Sequence, residues 1–456
     1  MAKNNDFQTT LKERISYPLF SIGQAITYFF ITGYLMLYFT NHIYLSNIVV
    51  AQILLFSKVW DAVNDPLFGL VVDRVQFKKY KFKPWLRIST PLIPITTLLM
   101  FQIPTGVSDS TKAILAVLFY FLWDLVYTIS DVPVYSMVTT MTSNIKERST
   151  LISYGSVAGI VNILIIALVF VPMIDSVGFG KIGIIIAVIS FLGMLPLTIT
   201  AKERVRENIE QQEKASIRDL FLYLRTNKYL LFFFLFHCIN GMFAIGLGNY
   251  VFIELLGDLK YLTIFVAIGA LPTLILFLLI PKITARVDKM KFFRTGVIIS
   301  AALGVLLYFI GYNNIVLFGA LTIIRTVIAT GSGMLTFTFA MDCVEYGHYK
   351  TGFRKEGITF SIQTFSNKFV SAVSSSFTAL VLEFIKYNGK TEGFQTAATL
   401  SGLWKASVWI PILGTCIALP FLFLYKLRSK DVQVMADINT GKISREEGEA
   451  LFSRPY

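Results

Sequence analysis

The chain has 456 residues, of which 55% are hydrophobic and only 15% are charged, whereas an ordinary soluble domain has roughly 25% charged residues. Apolar runs extend over almost the whole length, which excludes a soluble enzyme held by a single membrane anchor. The formal net charge of +13 would suit a nucleic-acid partner, but the basic residues lie in short loops between apolar runs, so that class is excluded as well.

Runs long enough to cross a bilayer, which takes about 20 residues, occur six times before residue 202 and six times after residue 228. In chain order they lie near 15–40, 46–72, 86–105, 111–141, 152–174, 181–201, 229–256, 260–283, 292–311, 315–341, 359–385 and 395–425. The sequence therefore predicts an all-α membrane protein of 12 transmembrane helices. Its parts are a six-helix bundle (1–201), a cytoplasmic linker (202–228), a second six-helix bundle (229–425) and a cytoplasmic tail (426–456).

The basic residues also predict the orientation in the membrane, because cytoplasmic loops carry an excess of Lys and Arg. If both termini are inside, the cytoplasmic segments hold 32 of the 41 Lys and Arg residues and the outside segments hold 6. We therefore expect a multi-pass protein of the cell membrane with both termini in the cytoplasm.

Several chemistries have no support in the sequence. Cys238, Cys343 and Cys416 lie in or beside apolar runs without CxxC spacing, so we expect neither a disulfide framework nor a zinc site. No GxxxxGK[ST] loop is present, which argues against direct use of ATP. No nucleophile and base pair is visible, so an enzyme or a receptor is disfavoured, and we expect no cofactor.

The second predicted helix carries ionisable residues that are costly inside a membrane and therefore need a reason to be there. At 100° per residue, Lys58, Asp61 and Asp65 lie within about 60° of one another, and Asn64 lies about 60° to the other side. Pro66 frees a further backbone carbonyl in the same turn. This oxygen-rich face predicts a site for a small hard cation or for a proton.

Two other predicted helices carry polar faces. On the fourth helix one face, beside the kink expected at Pro133, holds Asp124, Thr128, Asp131 and Tyr135. The eleventh helix has a polar stripe with a single ammonium, Lys368, which should seek a carboxylate such as Asp61, Asp65 or Asp131. The alternative is that these charges only neutralise one another as contacts between helices, but their number, next to prolines, favours a functional site.

Four segments resemble the glycoside-pentoside-hexuronide:cation symporters: WDAVNDP (60–66), FKPW (82–85), TISDVP (128–133) and DCVEYGHYKTGFRKEGITFSIQTFSNK (342–368). The loop after the second helix, with Asp73 and Arg74, is similar to a signature of the major facilitator superfamily. These two residues are either a latch at a helix end or only topology-setting charges. The resemblance implies a major-facilitator fold and cation-coupled uptake of a sugar or glycoside by alternating access.

The resemblance also implies residue roles. It assigns the cation site, which is a metal site if the ion is sodium, to Asp61, Asn64, Asp65 and Thr128. It assigns sugar contacts to Asp131 and Tyr135, coupling to Lys368, and a further place to Thr364 one turn earlier.

Two positions depart from the family pattern. Ala25 stands where a sugar-binding aspartate is expected on helix 1, and Gly155 where an arginine is expected on helix 5. Gln24 is a candidate substitute amide on helix 1, and Asp124 is a candidate extra carboxylate one turn before Thr128. These departures keep a second hypothesis open, a transporter of the same fold for a non-sugar amphiphile or lipid. The identity of the sugar and the choice between sodium and proton stay open too, and we expect a monomer.

Overall fold

The computed structural model describes residues 8–75, 77, 80–142, 145–204, 225–352, 356–391, 393–439 and 441–456. Every regular element in these residues is a helix, as the all-α prediction requires. The chain divides into two compact units. The first comprises Met1–Glu210, Asp258–Ile264 and Leu382–Gln395, and the second comprises Gln211–Gly257, Phe265–Val381 and Thr396–Tyr456.

The first unit contains seven α-helices in the part of the chain that is described: α1 (Leu11–Leu37), α2 (Asn47–Arg74), α3 (Lys83–Met100), α4 (Asp109–Met141), α5 (Ile145–Ile165), α6 (Val171–Val177) and α7 (Phe179–Thr200). Two short π-helical segments continue these helices. Tyr38–His42 extends α1, and Ile166–Phe170 joins α5 to α6. The predicted run at 152–174 is therefore one long helical path with a change of hydrogen-bond register inside it.

The remaining described helices belong wholly or mostly to the second unit: α8 (Lys228–Met242), α9 (Gly248–Glu254), α10 (Lys260–Thr284), α11 (Lys289–Ile310), α12 (Ile315–Gly333), α13 (Thr336–Thr351), α14 (Glu356–Phe384), α15 (Ala397–Leu424), α16 (Ser429–Asn439) and α17 (Arg445–Leu451). Two predicted runs are each broken into two helices: 229–256 becomes α8 and α9, and 315–341 becomes α12 and α13 with a turn at 334–335. α13 extends ten residues beyond the predicted end and stops where Gly352 adopts a left-handed φ of 74°, which suits a glycine at a helix end.

Eight helical segments in the described residues have the length and composition of a membrane span. They are Leu11–His42, Asp109–Tyr135, Val157–Ile174, Phe179–Thr200, Lys260–Phe277, Lys289–Ile310, Ile315–Thr351 and Ala397–Leu424. Two shorter apolar helices are Asn47–Ser57 and Lys228–Met242. Large apolar side chains such as Leu192, Leu271 and Phe309 are exposed on the outer faces. Contact with lipid explains these faces, since hydrocarbon is as apolar as they are.

In the first unit α1 and α7 pack closely through glycine. A Cβ atom on Gly23 would lie 2.6 Å from the carbonyl oxygen of Ser190, and one on Gly193 would lie 3.0 Å from the Cα atom of Gly23. Neither position has room for a side chain, so the small residues set the distance between the two helices. The next residue after Gly23 is Gln24, whose direction this contact helps to fix.

One end of the first unit is held by polar contacts. Glu203, just after α7, accepts hydrogen bonds from the backbone N–H groups of Lys81, Phe82 and Lys83 at distances of 2.7, 2.8 and 2.8 Å. In return the Lys83 ammonium donates to the carbonyl oxygens of Ile199 and Ala201 at the end of α7. A carboxylate thus accepts from the backbone N–H groups at the start of α3, and an ammonium donates to the backbone carbonyl groups at the end of α7.

In the second unit the chain end folds back onto the bundle. Asp431 accepts hydrogen bonds from the Ser453 backbone and hydroxyl and from the Tyr456 hydroxyl. Burial acts to raise the pKa of Asp431, but these hydrogen bonds outweigh it and hold the pKa below its ordinary value. Tyr456 also packs against the apolar cluster around Tyr229 and Tyr346. The tail is therefore an integral part of this unit.

Candidate functional site

A buried amide on α2 connects that helix to α4. The Nδ2 atom of Asn64 donates to Asp124 Oδ2 at 3.0 Å and to Thr128 Oγ1 at 2.9 Å. All three side chains are buried, with Asn64 only 3% exposed. Asp124 and Thr128 are one turn apart on α4, so one NH₂ group spans both. Two residues of the polar face predicted on the fourth helix, Asp124 and Thr128, thus accept hydrogen bonds from the same NH₂ group.

In the described part of the chain both contacts of Asn64 use its nitrogen, so the Oδ1 atom can face another partner. The Thr128 hydroxyl oxygen accepts one hydrogen bond from Asn64. An amide oxygen and a hydroxyl oxygen are ligands that a small hard cation accepts. Asn64 and Thr128 were both predicted as cation-site residues, and the structure places them in direct contact.

A second amide, on α1, reaches the other part of the same face of α4. Gln24 Nε2 donates to Ser130 Oγ at 2.8 Å and approaches Asp131 Oδ1 at 3.4 Å. Gln24 is buried and Asp131 is half-buried. Gln24 was a candidate substitute for the polar group missing at position 25, and it lies beside the predicted sugar-binding carboxylate. Ser130 was not predicted, because it lies off the polar face in the helical projection.

Aromatic rings flank these polar groups. The ring of Tyr127 lies 5.0 Å from that of Trp123 and 5.6 Å from that of Tyr28 on α1, measured between centroids, and both pairs are tilted by about 30°. Tyr135 is 64% exposed. Ligand sites commonly combine apolar and aromatic walls with a few polar groups. Sequence reasoning missed the aromatic group, although the four-residue spacing of Trp123 and Tyr127 is a signal for neighbours on one helix face.

Several predicted site residues lie outside what the structure describes. This applies to the side chains of Asp61, Asp65, Asp73, Arg74 and Thr364. Lys368 is described, and it is a half-buried residue of α14 in the second unit. Among the side chains that are described, no three His, Cys, Asp or Glu residues lie together as a metal centre would require.

Gly155, one of the two departures from the family pattern, has a packing role. A Cβ atom there would lie 3.2 Å from Tyr17 Cε1 and 3.3 Å from Ser21 Oγ, so α5 approaches α1 closely at this point. An arginine at this position would displace its neighbours. Gly159, one turn later, has open space beside it. With glycine rather than arginine at position 155, α5 lies close against α1.

The comparison with known families shows to which family the chain belongs. A family model described as MFS/sugar transport protein matches residues 16–429. The chain belongs to this family. Its members are transporters, and the resemblance to the glycoside-pentoside-hexuronide:cation symporters is confirmed.

Individual relatives of this transporter match it over almost their whole length. It is 25% identical over 446 residues to an isoprimeverose transporter of Lactiplantibacillus pentosus, covering 93% of this chain and 91% of that protein. It is 27% identical over 442 residues to a putative glycoside/cation symporter of Escherichia coli (strain K12), covering 94% and 95%. A solved D-xylose-proton symporter has the same fold, with a TM-score of 0.62, 12% identity and coverage of 91% and 96%.

The Asn64 contact gives a first prediction for this transporter. Asn64→Leu removes both hydrogen bonds to α4 and leaves Asp124 without the amide donor, so we expect stability to fall by about 1–3 kcal/mol. The loss should be seen as a lower midpoint of thermal unfolding in detergent micelles. Asn64→Leu combined with Asp124→Leu should recover part of it.

Asn162→Leu is the matched control for that experiment. Asn162 is also a buried amide, but among the described residues its Nδ2 atom donates to the backbone carbonyl of Ile22 and to no side chain. Its destabilisation should therefore not be relieved by Asp124→Leu. Equal relief in both backgrounds would contradict a specific link between Asn64 and Asp124.

Proposed function

We propose that this protein is a cation-coupled symporter that imports a sugar or glycoside by alternating access. The observation that carries the proposal is the set of buried polar side chains on three apolar helices, in which Asn64 contacts Asp124 and Thr128, and Gln24 contacts Ser130 and Asp131. Buried polar groups within apolar helices are costly and mark ion and substrate paths in transporters. The relatives that transport isoprimeverose or couple a glycoside to a cation support the same reading.

The cation, sodium or a proton, is proposed to bind at Asp61, Asn64, Asp65 and Thr128. Asn64 supports this assignment because its nitrogen is used by α4 and its oxygen is left for a ligand. Two carboxylates with one amide and one hydroxyl give enough oxygens for sodium, whereas a proton needs one carboxylate. Lys368 is proposed as the coupling residue, and Asp73 and Arg74 as a gating loop.

The substrate is proposed to bind along α4 at Asp131 and Tyr135, with contributions from Gln24, Asp124 and Thr364. Asp131 is half-buried, so its charge is strong enough to hold substrate hydroxyl groups as an acceptor. The rings of Tyr28 and Tyr127 offer apolar walls for the faces of a sugar ring, and the buried ring of Trp123 packs against Tyr127 and supports it.

A second candidate is a transporter of the same fold for a non-sugar amphiphile or lipid. Two observations favour it, the replacement of polar family positions by Ala25 and Gly155 and the tight contact of Gly155 with Tyr17. Uptake of labelled neutral glycosides into membrane vesicles separates the two candidates. Accumulation of a glycoside would support the symporter, and transport of a labelled lipid without any glycoside would support the alternative.

Coupling can be tested at α2. Asp61→Cys or Asp65→Cys should abolish accumulation driven by a sodium or proton gradient, because the cation site loses a carboxylate. Exchange of labelled for unlabelled substrate should persist, since α4 is unchanged. Asp109→Cys is the control, because Asp109 is a carboxylate at the start of α4 paired with Lys112. Normal gradient-driven accumulation in both α2 variants would refute the cation-site assignment.

Substrate binding can be tested at Asp131. Asp131→Asn keeps the side-chain volume but removes charge-assisted acceptance, so the binding free energy should weaken by about 1.5–3 kcal/mol. The measurement is the dissociation constant for the transported glycoside, with Asp109→Asn on the same helix as control. An unchanged constant in Asp131→Asn would show that this carboxylate does not touch the substrate.

We also propose 12 spans with both termini in the cytoplasm, on the strength of the basic loops. Cysteine accessibility tests this in a Cys416→Ser background, since Cys238 and Cys343 are buried and Cys416 is exposed. The exposed residues Gln433 and Lys390 are suitable label sites. Gln433→Cys should react with an impermeant thiol reagent only from the cytoplasmic side, and Lys390→Cys only from outside. Reaction of both from one side would overturn the orientation.

A further inference from the structure

An arginine lies within the second unit, in the apolar helix α12. Arg325 is ten residues beyond Ile315, the first residue of α12, which places it about 15 Å along the helix axis. It falls inside the candidate span Ile315–Thr351, more than two helical turns from the start of that span. A charge at this depth is costly and marks a functional site by default. The cation and sugar sites proposed above do not use it.

Within the described parts of the chain, the Arg325 side chain has no ion pair and no hydrogen bond. The neighbouring helix nevertheless makes room for it. A Cβ atom on Gly304 of α11 would lie 3.2 Å from Arg325 Cζ and 3.2 Å from Ile412 Cδ1. The glycine therefore leaves space that the guanidinium occupies. Arg325 is half-buried, and with no carboxylate from the described residues beside it the guanidinium presents its five N–H donors to a ligand.

Arg325 lines an open-sided cavity of about 330 Å³ in the second unit, and Thr326 and Thr330 are exposed in its lining. The cavity lies among helices α8, α11, α12 and α15, and its polar lining consists of Asn240, Ser300, Thr322, Arg325, Thr326, Thr330 and Thr415. None of its described lining residues is acidic. Its charge is therefore positive, and its size falls within the range of sites for small organic ligands.

The neutral groups in the cavity add donors. Thr415 Oγ1 has two acceptors within hydrogen-bond distance, Asn240 Oδ1 at 2.9 Å and the carbonyl oxygen of Pro411 at 3.0 Å. No side chain in the described residues accepts from the Nδ2 atom of Asn240, which is therefore a donor for a ligand. The Thr322 hydroxyl is buried and has no hydrogen-bond partner among the described residues. A buried hydroxyl of this kind calls for a partner that the protein does not itself supply. Donors around a single cation match a carboxylate, which takes two parallel bonds from a guanidinium.

We propose that this cavity binds the carboxylate group of a small hydroxylated organic acid. The carboxylate pairs with Arg325, and the hydroxyl groups of the ligand bond to Thr322 and Asn240. Two sources have this chemistry, a free small acid that binds without being transported and the acid group of a transported sugar. None of the residues of this cavity belongs to the cation, sugar or coupling assignments made above, so carboxylate binding here is tested by variants that leave those residues unchanged.

The test is isothermal titration calorimetry on the full chain in lipid nanodiscs at pH 7. The probes are glycerate and D-glucuronate, each compared with its neutral counterpart, glycerol or D-glucose. We expect at least one acid to bind more tightly than its counterpart. Arg325→Gln should weaken the binding of that acid about 10- to 150-fold and leave the neutral compound unchanged.

Three further variants sharpen the result. Arg325→Lys keeps the charge but loses the planar fork, so it should bind the acid with intermediate affinity. Thr322→Val keeps the shape of the side chain and the positive charge of the cavity, but it removes the hydroxyl group and should weaken binding of the acid about 2- to 12-fold. This variant provides a readout even if Arg325→Gln fails to fold. Arg286→Gln removes an exposed positive charge from the same unit and should have no effect.

The proposal is overturned if neither acid binds more tightly than its neutral counterpart, or if Thr322→Val and Arg325→Gln bind the acid as the parent does. The two sources are separated by vesicle uptake. A labelled acid that binds through Arg325 without being accumulated is a free ligand, and one that is accumulated through the same residue is an acidic substrate. Both results support the site.

Discussion

The NH₂ group of Asn64 is the contact on which the polar interior of the first unit depends. Inside hydrocarbon, a polar side chain on one helix can be satisfied only by polar groups on the same or another helix. By donating to both Asp124 and Thr128, Asn64 fixes the rotation of α4 relative to α2. Gln24 does the same between α1 and α4 through Ser130 and Asp131. The fourth helix is thus oriented from two sides by amides.

The helical repeat allowed part of this site to be predicted. A step of 100° per residue places Asp124, Thr128 and Asp131 on one face whatever the rest of the fold does. The partner that each residue takes depends on how α1 and α2 are rotated, which a single sequence does not encode locally. The contact of Gln24 with Ser130 could not be predicted for this reason, whereas the contact of Asn64 with Thr128 follows from the resemblance to the family.

The second unit shows a different limit. Arg325 is one basic residue in a long apolar run. Helical periodicity therefore predicts no polar partner for it on its own helix, and the count of charges in the loops does not include it. The space around its guanidinium depends on Gly304, 21 residues earlier in the chain, and on Ile412 of α15. Contacts of this range become visible only when the helices are packed. The helical class of the chain, by contrast, needs only composition and run length.

The mutual capping of α3 and α7 has a mechanical consequence. Glu203 holds three backbone N–H groups at the start of α3, and Lys83 holds two carbonyl oxygens at the end of α7. Sliding one helix against the other would expose five backbone groups and two opposite charges at once. The ends of α3 and α7 are therefore coupled. Any rearrangement of the first unit during a transport cycle must move these two helices together as one rigid body.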